Sequence, residues 1–334
     1  MNIHPSLPGK FVYLILPALL FFASPFSSCK KSSGPNPTAT TDVYMAGLRS
    51  NTATAELSAV YWKNGVQTKL SSSPDFSNAS GIAVSGSDIF VSGSLNGSAV
   101  YWKNGTVVPI NGGKNATIYS ITVSGTDVYL AGAIFSPVAK ATYWKNVVSV
   151  PLDNNLSYAN AITVAGNDVV VAGTIGTAAV YWINGIVYPL TGNGTATCVT
   201  VSDTTVYVGG TRMYSYGKSI ATYWQNGVGI VLADTTVNSS VSNIAVANNK
   251  VYTSGTVNQP GYWINNNFFF LPQGALPKDS YIAVKGTDVY TATNIIDANG
   301  SYSPVYYKNG QQAPTPDPNP ANVFSNVHAL TVSK

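Results

Sequence analysis

The stretch Ala59–Gly65 reads AVYWKNG, and Ala99–Gly105 repeats it without a change. Five further copies follow with substitutions: ATYWKNV at Ala141–Val147, AVYWING at Ala179–Gly185, ATYWQNG at Ala221–Gly227, PGYWINN at Pro260–Asn266 and PVYYKNG at Pro304–Gly310. The aromatic in the fourth position is Trp62, Trp102, Trp144, Trp182, Trp224, Trp263 and finally Tyr307, at spacings of 40, 42, 38, 42, 39 and 44 residues. All six tryptophans of the chain occupy this one slot, so the period marks a structural unit.

Two more phrases share the period. One reads DVYMAG from Asp42, DIFVSG from Asp88, DVYLAG from Asp127, DVVVAG from Asp168, TVYVGG from Thr205, KVYTSG from Lys250 and DVYTAT from Asp288. The other precedes most of these: IAVSG from Ile82, ITVSG from Ile121, ITVAG from Ile162, VTVSD from Val199, IAVAN from Ile244 and IAVKG from Ile282. Asn-Gly between apolar runs is a strong hairpin signal, because both residues tolerate positive φ. Three strong strands and a weaker fourth in about 40 residues, with no helical periodicity, describe a propeller blade. The expected fold is all-β: a seven-bladed β-propeller of four-stranded antiparallel blades. The first copy lacks an inner strand, and the C-terminus ends in an unpaired one, HALTV at His328–Val332. That strand is expected to complete blade one and close the ring. The recurring aromatic is expected to wedge between blades, the alternative being a ring of sugar-stacking platforms. The recurring aspartates are expected to bond nearby backbone N–H groups in their turns.

From Asp42 to Lys334 the chain resembles the Bacteroidota-type Tyr-Trp-Lys-Asn-Gly repeat β-propeller lipoproteins, and its rhythm is similar to HAF-type extracellular repeats. The resemblance implies architecture and carries no shared activity with it.

The first 28 residues read as a lipoprotein signal peptide. Lys10 supplies a positive start, and Phe11–Phe22 an apolar run too short for a comfortable membrane span. Phe26-Ser27-Ser28-Cys29 resembles a lipobox, with Cys29 as the lipidated residue, although Phe26 stands where leucine is usual. Residues 29–41 are then a Ser/Pro/Thr-rich tether, and residues 42–334 the propeller. The expected location is membrane-anchored in the envelope, on the outer membrane facing the periplasm, with surface display as the alternative.

Composition excludes several chemistries. Only 9% of residues are charged, and the net charge is +4 with no basic stripe, which argues against nucleic acid. The two histidines are His4, in the leader, and His328, in the closing strand. Cys198 reads as a small buried hydrophobe. No metal site, cofactor or catalytic residue is expected. The loop acids Glu56, Asp75, Asp153, Asp234, Asp279, Asp297 and Asp317 keep a carbohydrate-active hydrolase open as an alternative, provided that two converge.

Variation concentrates in the connections between second and third strands and between successive blades, which share one face. Leu48–Ser58, Thr211–Ile220 and Asn294–Ser303 are the long ones. The candidate binding residues on this face are Arg49, Arg212, Tyr214, Tyr216, Tyr158 and Tyr302. The expected function is a non-enzymatic recognition or scaffold module that binds a glycan or an envelope protein and touches the membrane only through its lipid. A purely structural assembly subunit is the remaining alternative.

Overall fold

The computed structural model describes residues 41–333, apart from residues 73, 215–216, 273–274, 297–299 and 314–322 and the side chains of 276–279. The leader, Cys29 and the tether lie outside the described residues, as do Tyr216, Asp297, Asp317 and the Asp279 side chain.

The chain folds as an all-β propeller. Strands β1 (Val43–Asn51), β2 (Glu56–Lys63) and β3 (Val66–Lys69) form a sheet with the C-terminal strand β27 (Val323–Val332), which lies on the inner side of β1. The next sheet holds β4 (Ser77–Ser85), β5 (Asp88–Leu95), β6 (Ser98–Lys103) and β7 (Thr106–Pro109). It is followed by β8 (Ala116–Ser124), β9 (Asp127–Phe135), β10 (Ala139–Lys145) and β11 (Val148–Pro151). Late in the chain come β19 (Ser239–Ala247), β20 (Lys250–Val257), β21 (Gln259–Ile264) and β22 (Asn267–Phe270). The last such sheet is β23 (Ala275–Lys285), β24 (Asp288–Ile296), β25 (Tyr302–Lys308) and β26 (Gln311–Gln312). These are five blades of four antiparallel strands.

The expectation of seven separate four-stranded blades needs correction. The middle of the chain is one seven-stranded sheet: β12 (Ser157–Ala165), β13 (Asp168–Ile175), β14 (Ala178–Ile183), β15 (Ile186–Ser202), β16 (Thr205–Met213), β17 (Ser219–Gln225) and β18 (Val228–Val231). Strand β15 pairs with β14 through Ile186–Pro189 and again at Asn193, then with β16 from Gly194 to Ser202. Thr191-Gly192-Asn193-Gly194 looks like a turn, and Gly192 takes a left-handed φ of 84°, yet Asn193 pairs with Ala178 on one side and Gly194 with Arg212 on the other. Gly194 allows the close approach, since a Cβ there would meet the Thr211 carbonyl oxygen at 2.0 Å.

The three long connections are also shorter than they read. Arg49↔Ser58, Ser50↔Leu57 and Asn51↔Glu56 continue the β1–β2 register, so most of Leu48–Ser58 is a two-stranded arm. The arm β16–β17 likewise stays paired out to Met213↔Ser219.

The repeat aromatics are buried, from Trp144, Trp182, Trp224 and Trp263 at 0% exposed to Trp62 at 4%. Each packs into a cluster shared with the preceding repeat: Trp102 with Tyr44 and Ala59, Trp144 with Phe90 and Ala99, Trp224 with Val170 and Ala179. Three of the indoles also donate Nε1–H to a carbonyl at the end of the preceding repeat, Trp144 to Asn111, Trp224 to Thr191 and Trp263 to Leu232, at 2.9–3.1 Å. The ring face and the donor are thus both committed inside the wall of the propeller.

The asparagine two residues after each aromatic is a clasp. Asn64, Asn104, Asn146, Asn184, Asn226, Asn265 and Asn309 all sit at φ between 45° and 54°. Each backbone N–H donates to the carbonyl of the residue in the second position of the phrase that opens the facing strand (Val43, Ile89 and their equivalents), and each Oδ1 accepts that residue's N–H. For Asn104 and Ile89 the distances are 2.9 and 2.8 Å. The left-handed backbone is what aims the side chain back at its own partner. Val147 occupies the following turn position at φ 68°, where five other copies carry glycine.

The recurring aspartates do not cap their own turns as expected. Asp42, Asp88, Asp127, Asp168 and Asp288 accept instead from the clasp asparagine Nδ2 across the sheet, at 2.6–2.9 Å. Four of them also pair with the preceding lysine, Lys63–Asp42, Lys103–Asp88, Lys145–Asp127 and Lys308–Asp288, at 2.7–2.9 Å. Each lysine head lies 5.3–5.6 Å from the centre of the neighbouring ring of Tyr44, Phe90, Tyr129 or Tyr290.

Inner strands carry a bulge. In β5, Gly93 faces it, and a Cβ there would meet the Asn78 carbonyl oxygen at 1.9 Å, which explains the glycine that closes most copies of the second phrase. Several bulge residues bond to the next inner strand: Asn160 Nδ2 to the Ala196 carbonyl and Thr197 Oγ1 to the Val241 carbonyl, both at 2.7 Å. His328 Nδ1 likewise lies 2.8 Å from the Ala79 carbonyl oxygen. Cys198 is buried, and burial pushes its thiol up to about 12.

Candidate functional site

The strand topology divides the molecule into two faces. Short hairpins, with their clasps, form one. The arms and the connections between successive repeats form the other, where all the candidate residues were expected.

The structure scatters those candidates. Arg49 is held at home: its Nη1 lies 3.5 Å from Glu56 Oε2, and both side chains are largely covered. Glu56 also accepts from Lys69 Nζ at 2.6 Å and from Ser58 Oγ at 2.8 Å. The Lys69 bond, then the Ser58 bond, hold the Glu56 carboxyl below its usual range. This is an ion cluster that braces the β1–β2 arm. Arg212 and Tyr214 do meet, with the guanidinium 5.1 Å from the ring centre and Nη1 3.5 Å from the hydroxyl. The arginine lies along Gly192, where a Cβ would reach its Nε at 2.2 Å. Tyr302 stacks edge-on with Phe324 at 6.1 Å between ring centres.

The described loop acids each have a local partner. Asp75 accepts from Asn96 Nδ2, Asp153 from the Asn155 N–H, and Asp234 from the N–H and hydroxyl of Thr236. Among the described residues, no three His, Cys, Asp or Glu side chains form a metal-binding group.

Tyr158 is the candidate that leads to a concave site. It walls a pocket of about 460 Å³ between the two halves of the seven-stranded sheet, on the arm face. The volume falls in the range of small-molecule sites, about 300–1,000 Å³. Asn160, Thr174, Gly176 and Thr177 line it from β12, β13 and the β13–β14 connection. Gly194, Thr195, Thr211, Met213 and Ser219 line it from β15, β16 and β17. Two cross-strand pairs at the same register of successive repeats flank it, Tyr158↔Thr174 and Thr195↔Thr211. Tyr119 lies close by: burial raises its phenol, and the neighbouring Tyr158 adds to the shift.

The sequence reading missed the threonines. Thr174 and Thr211 lie near the ends of β13 and β16, Thr177 in the turn between β13 and β14, and Thr195 within β15; threonine is an ordinary β-former, so composition gives no signal. The one available clue was register: aligning the repeats stacks Thr195 and Thr211 beside Tyr158 and Thr174.

No protein-family model matches the chain, and no curated protein matches it. Solved propellers do. A puromycin-hydrolysing peptidase of Mycobacterium tuberculosis is similar at TM-score 0.54 and 11% identity, over 81% of this chain and 51% of that one. A puromycin hydrolase mutant complexed with PGG is similar at TM-score 0.55 and 9% identity, over 81% and 51%. This chain therefore spans about half the length of those two proteins. The β-propeller domain of the Trilobed protease from Pyrococcus furiosus is similar at TM-score 0.53 and 12% identity, over 83% and 92%. That propeller is described as having an open velcro topology, whereas here β1 pairs with β27 along its whole length. At these identities the likeness shows the fold alone.

Proposed function

We propose that this chain is an exported lipoprotein of the cell envelope, anchored through Cys29, that serves as a non-enzymatic recognition or scaffold module. Its ligand, a glycan or an envelope protein, meets the arm face. The observation that carries this reading is the pocket between Tyr158 and Thr195, a concave site on the face where the repeats differ most. The described body begins beside Asp42 on the hairpin face, where Asp42 and Ser333 exchange bonds at 2.9 Å. The outer-membrane, periplasm-facing location belongs to the same proposal.

The architecture within this proposal is a seven-fold ring, with the long sheet acting as two blades that share β15. Support comes from the inner strands, which adjoin in the cyclic order β27, β4, β8, β12, β15, β19, β23 and back to β27.

The test is made in cells. A photo-reactive residue at Thr177 should capture an envelope component, and one at the exposed Thr106 on the hairpin face should not. Cys29→Ser should abolish incorporation of a labelled fatty acid. Equal capture from both faces, or fatty-acid labelling that survives Cys29→Ser, counts against the proposal.

A further inference from the structure

Threonine hydroxyls at strand ends usually find a partner within the protein. One repeat further on, at the same register, Ser240 and Thr256 do so, with their hydroxyl oxygens 3.0 Å apart. In the pocket the equivalent pair, Thr195 and Thr211, make no side-chain hydrogen bond, nor do Thr174 and Thr177. Each of the four offers one donor and two acceptor positions. Asn160 is fixed differently: its Nδ2 donates to the Ala196 carbonyl at 2.7 Å, which orients its Oδ1 as an acceptor. Tyr158 adds a ring to the wall, and no lining side chain is charged.

We infer that this pocket binds an uncharged sugar residue of a glycan, held by the threonine hydroxyls and packed against Tyr158. This rests on the arm face being the recognition face. A sugar hydroxyl is both donor and acceptor, and so is each threonine, so the two can pair in either sense without an ionised partner. A carboxylate or phosphate entering the same site loses water and finds no cation among the lining residues. A site built from hydroxyls also discriminates strongly against a ligand that lacks their partners. The exposed positions Thr177 and Thr195 lie at the mouth and half-buried Thr211 further in, so a chain end fits better than a chain middle.

The test uses the full chain, purified in detergent, on immobilised oligosaccharides ending in neutral hexoses or N-acetylhexosamines and on the same oligosaccharides ending in the corresponding uronic acids. Binding to at least one neutral terminus is expected, with its uronate counterpart at least tenfold weaker. Tyr158→Ala should lose binding tenfold or more, and Tyr158→Phe should keep it. Thr195→Val with Thr211→Val, which preserves shape, should weaken it about tenfold. That isosteric pair keeps the test valid if Tyr158→Ala fails to fold. Uronates bound as tightly as neutral termini would overturn the inference, as would neutral binding that both variants retain. Absence of binding to every saccharide also overturns it. If Thr177 then still captures an envelope protein, the recognition face stands with a protein ligand. If it captures nothing, the recognition reading falls as well.

Discussion

The two faces of this propeller are built from the same strands and treat polar side chains in opposite ways. On the hairpin face the polar groups are turned on one another. Asn104 bonds to both backbone groups of Ile89 and donates to Asp88, which also holds Lys103. Variations of this constellation recur around the ring, so the face is uniform. On the arm face the equivalent strand ends diverge: one set closes into the Arg49–Glu56–Lys69 cluster, another into the Ser240–Thr256 bond, and a third leaves four threonines unengaged around a pocket. A hairpin fixed by its own turn leaves little latitude for substitution, whereas a strand end that projects past the shared wall is free to change. Stability is therefore expected to follow the hairpin face, and binding the arm face.

The largest effect should come from breaking the frame that both faces share. Truncation before Val327 removes a buried valine and a buried leucine, Leu330, and strips Val43–Gly47 of β1 of their inner partners. It also leaves the buried Asn294, which bonds to both backbone groups of Val327, without that partner. Each such apolar side chain is worth about 1.5–3 kcal/mol, against a total stability of about 5–15 kcal/mol for a typical domain. The truncated chain should lose its cooperative thermal transition, measured by circular dichroism. An unchanged melting temperature would mean that β27 only decorates the ring.

A smaller contrast separates the faces directly. Asn104→Ala forces alanine into a left-handed turn and leaves the Ile89 N–H without its acceptor, at a cost of about 1–3 kcal/mol. Thr195→Val at the pocket mouth should change stability by no more than about 0.5 kcal/mol, since no bond within the protein is lost. Urea titrations of the two variants check this. Equal destabilisation would show that the pocket threonines serve the fold.

How much of this was legible follows from the range of each signal. Hairpins were readable because Asn-Gly specifies its own backbone, and HALTV was readable as the missing partner of β1 because its pattern matches the other inner strands. The shared strand β15 was not, because Thr191-Gly192-Asn193-Gly194 has the composition of a turn, and even bends at Gly192, while Asn193 and Gly194 still pair with the strands on either side. The aspartates misled for a related reason. A sequence reading looks for the nearest N–H, yet Asp88 finds its partners 15 and 16 residues away, across two strands. Rarity made Arg49 look like a recognition residue, and continued pairing of the arm delivers it to Glu56 instead. The pocket left no mark because it depends on which hydroxyls fail to find partners, and only the packed arrangement decides that.

The smallest expected effect is in acid, and it tests whether the hairpin face is electrostatically committed. Lysine and asparagine bonds hold the carboxyls of Asp42, Asp127 and Asp288 below their usual range, and for Asp88 the asparagine bond is the larger cause. A carboxyl whose pKa is lower in the folded chain than in the unfolded one stabilises the fold above the unfolded value, near 4. That contribution is fully present above about pH 5 and disappears as pH falls through the folded pKa. These groups are exposed, so each pair is weak alone and is screened by salt. Replacing Asp88, Asp127 and Asp288 with asparagine should lower the melting temperature at pH 7, leave it unchanged at pH 2, and flatten the slope between them. Raising the salt concentration should shrink the gap at pH 7. An acid limb as steep in the triple variant as in the native chain would transfer the pH dependence to depressed carboxyls it leaves in place, Asp42 with Lys63 and Asn64 on the hairpin face and Glu56 with Lys69 and Ser58 on the arm face.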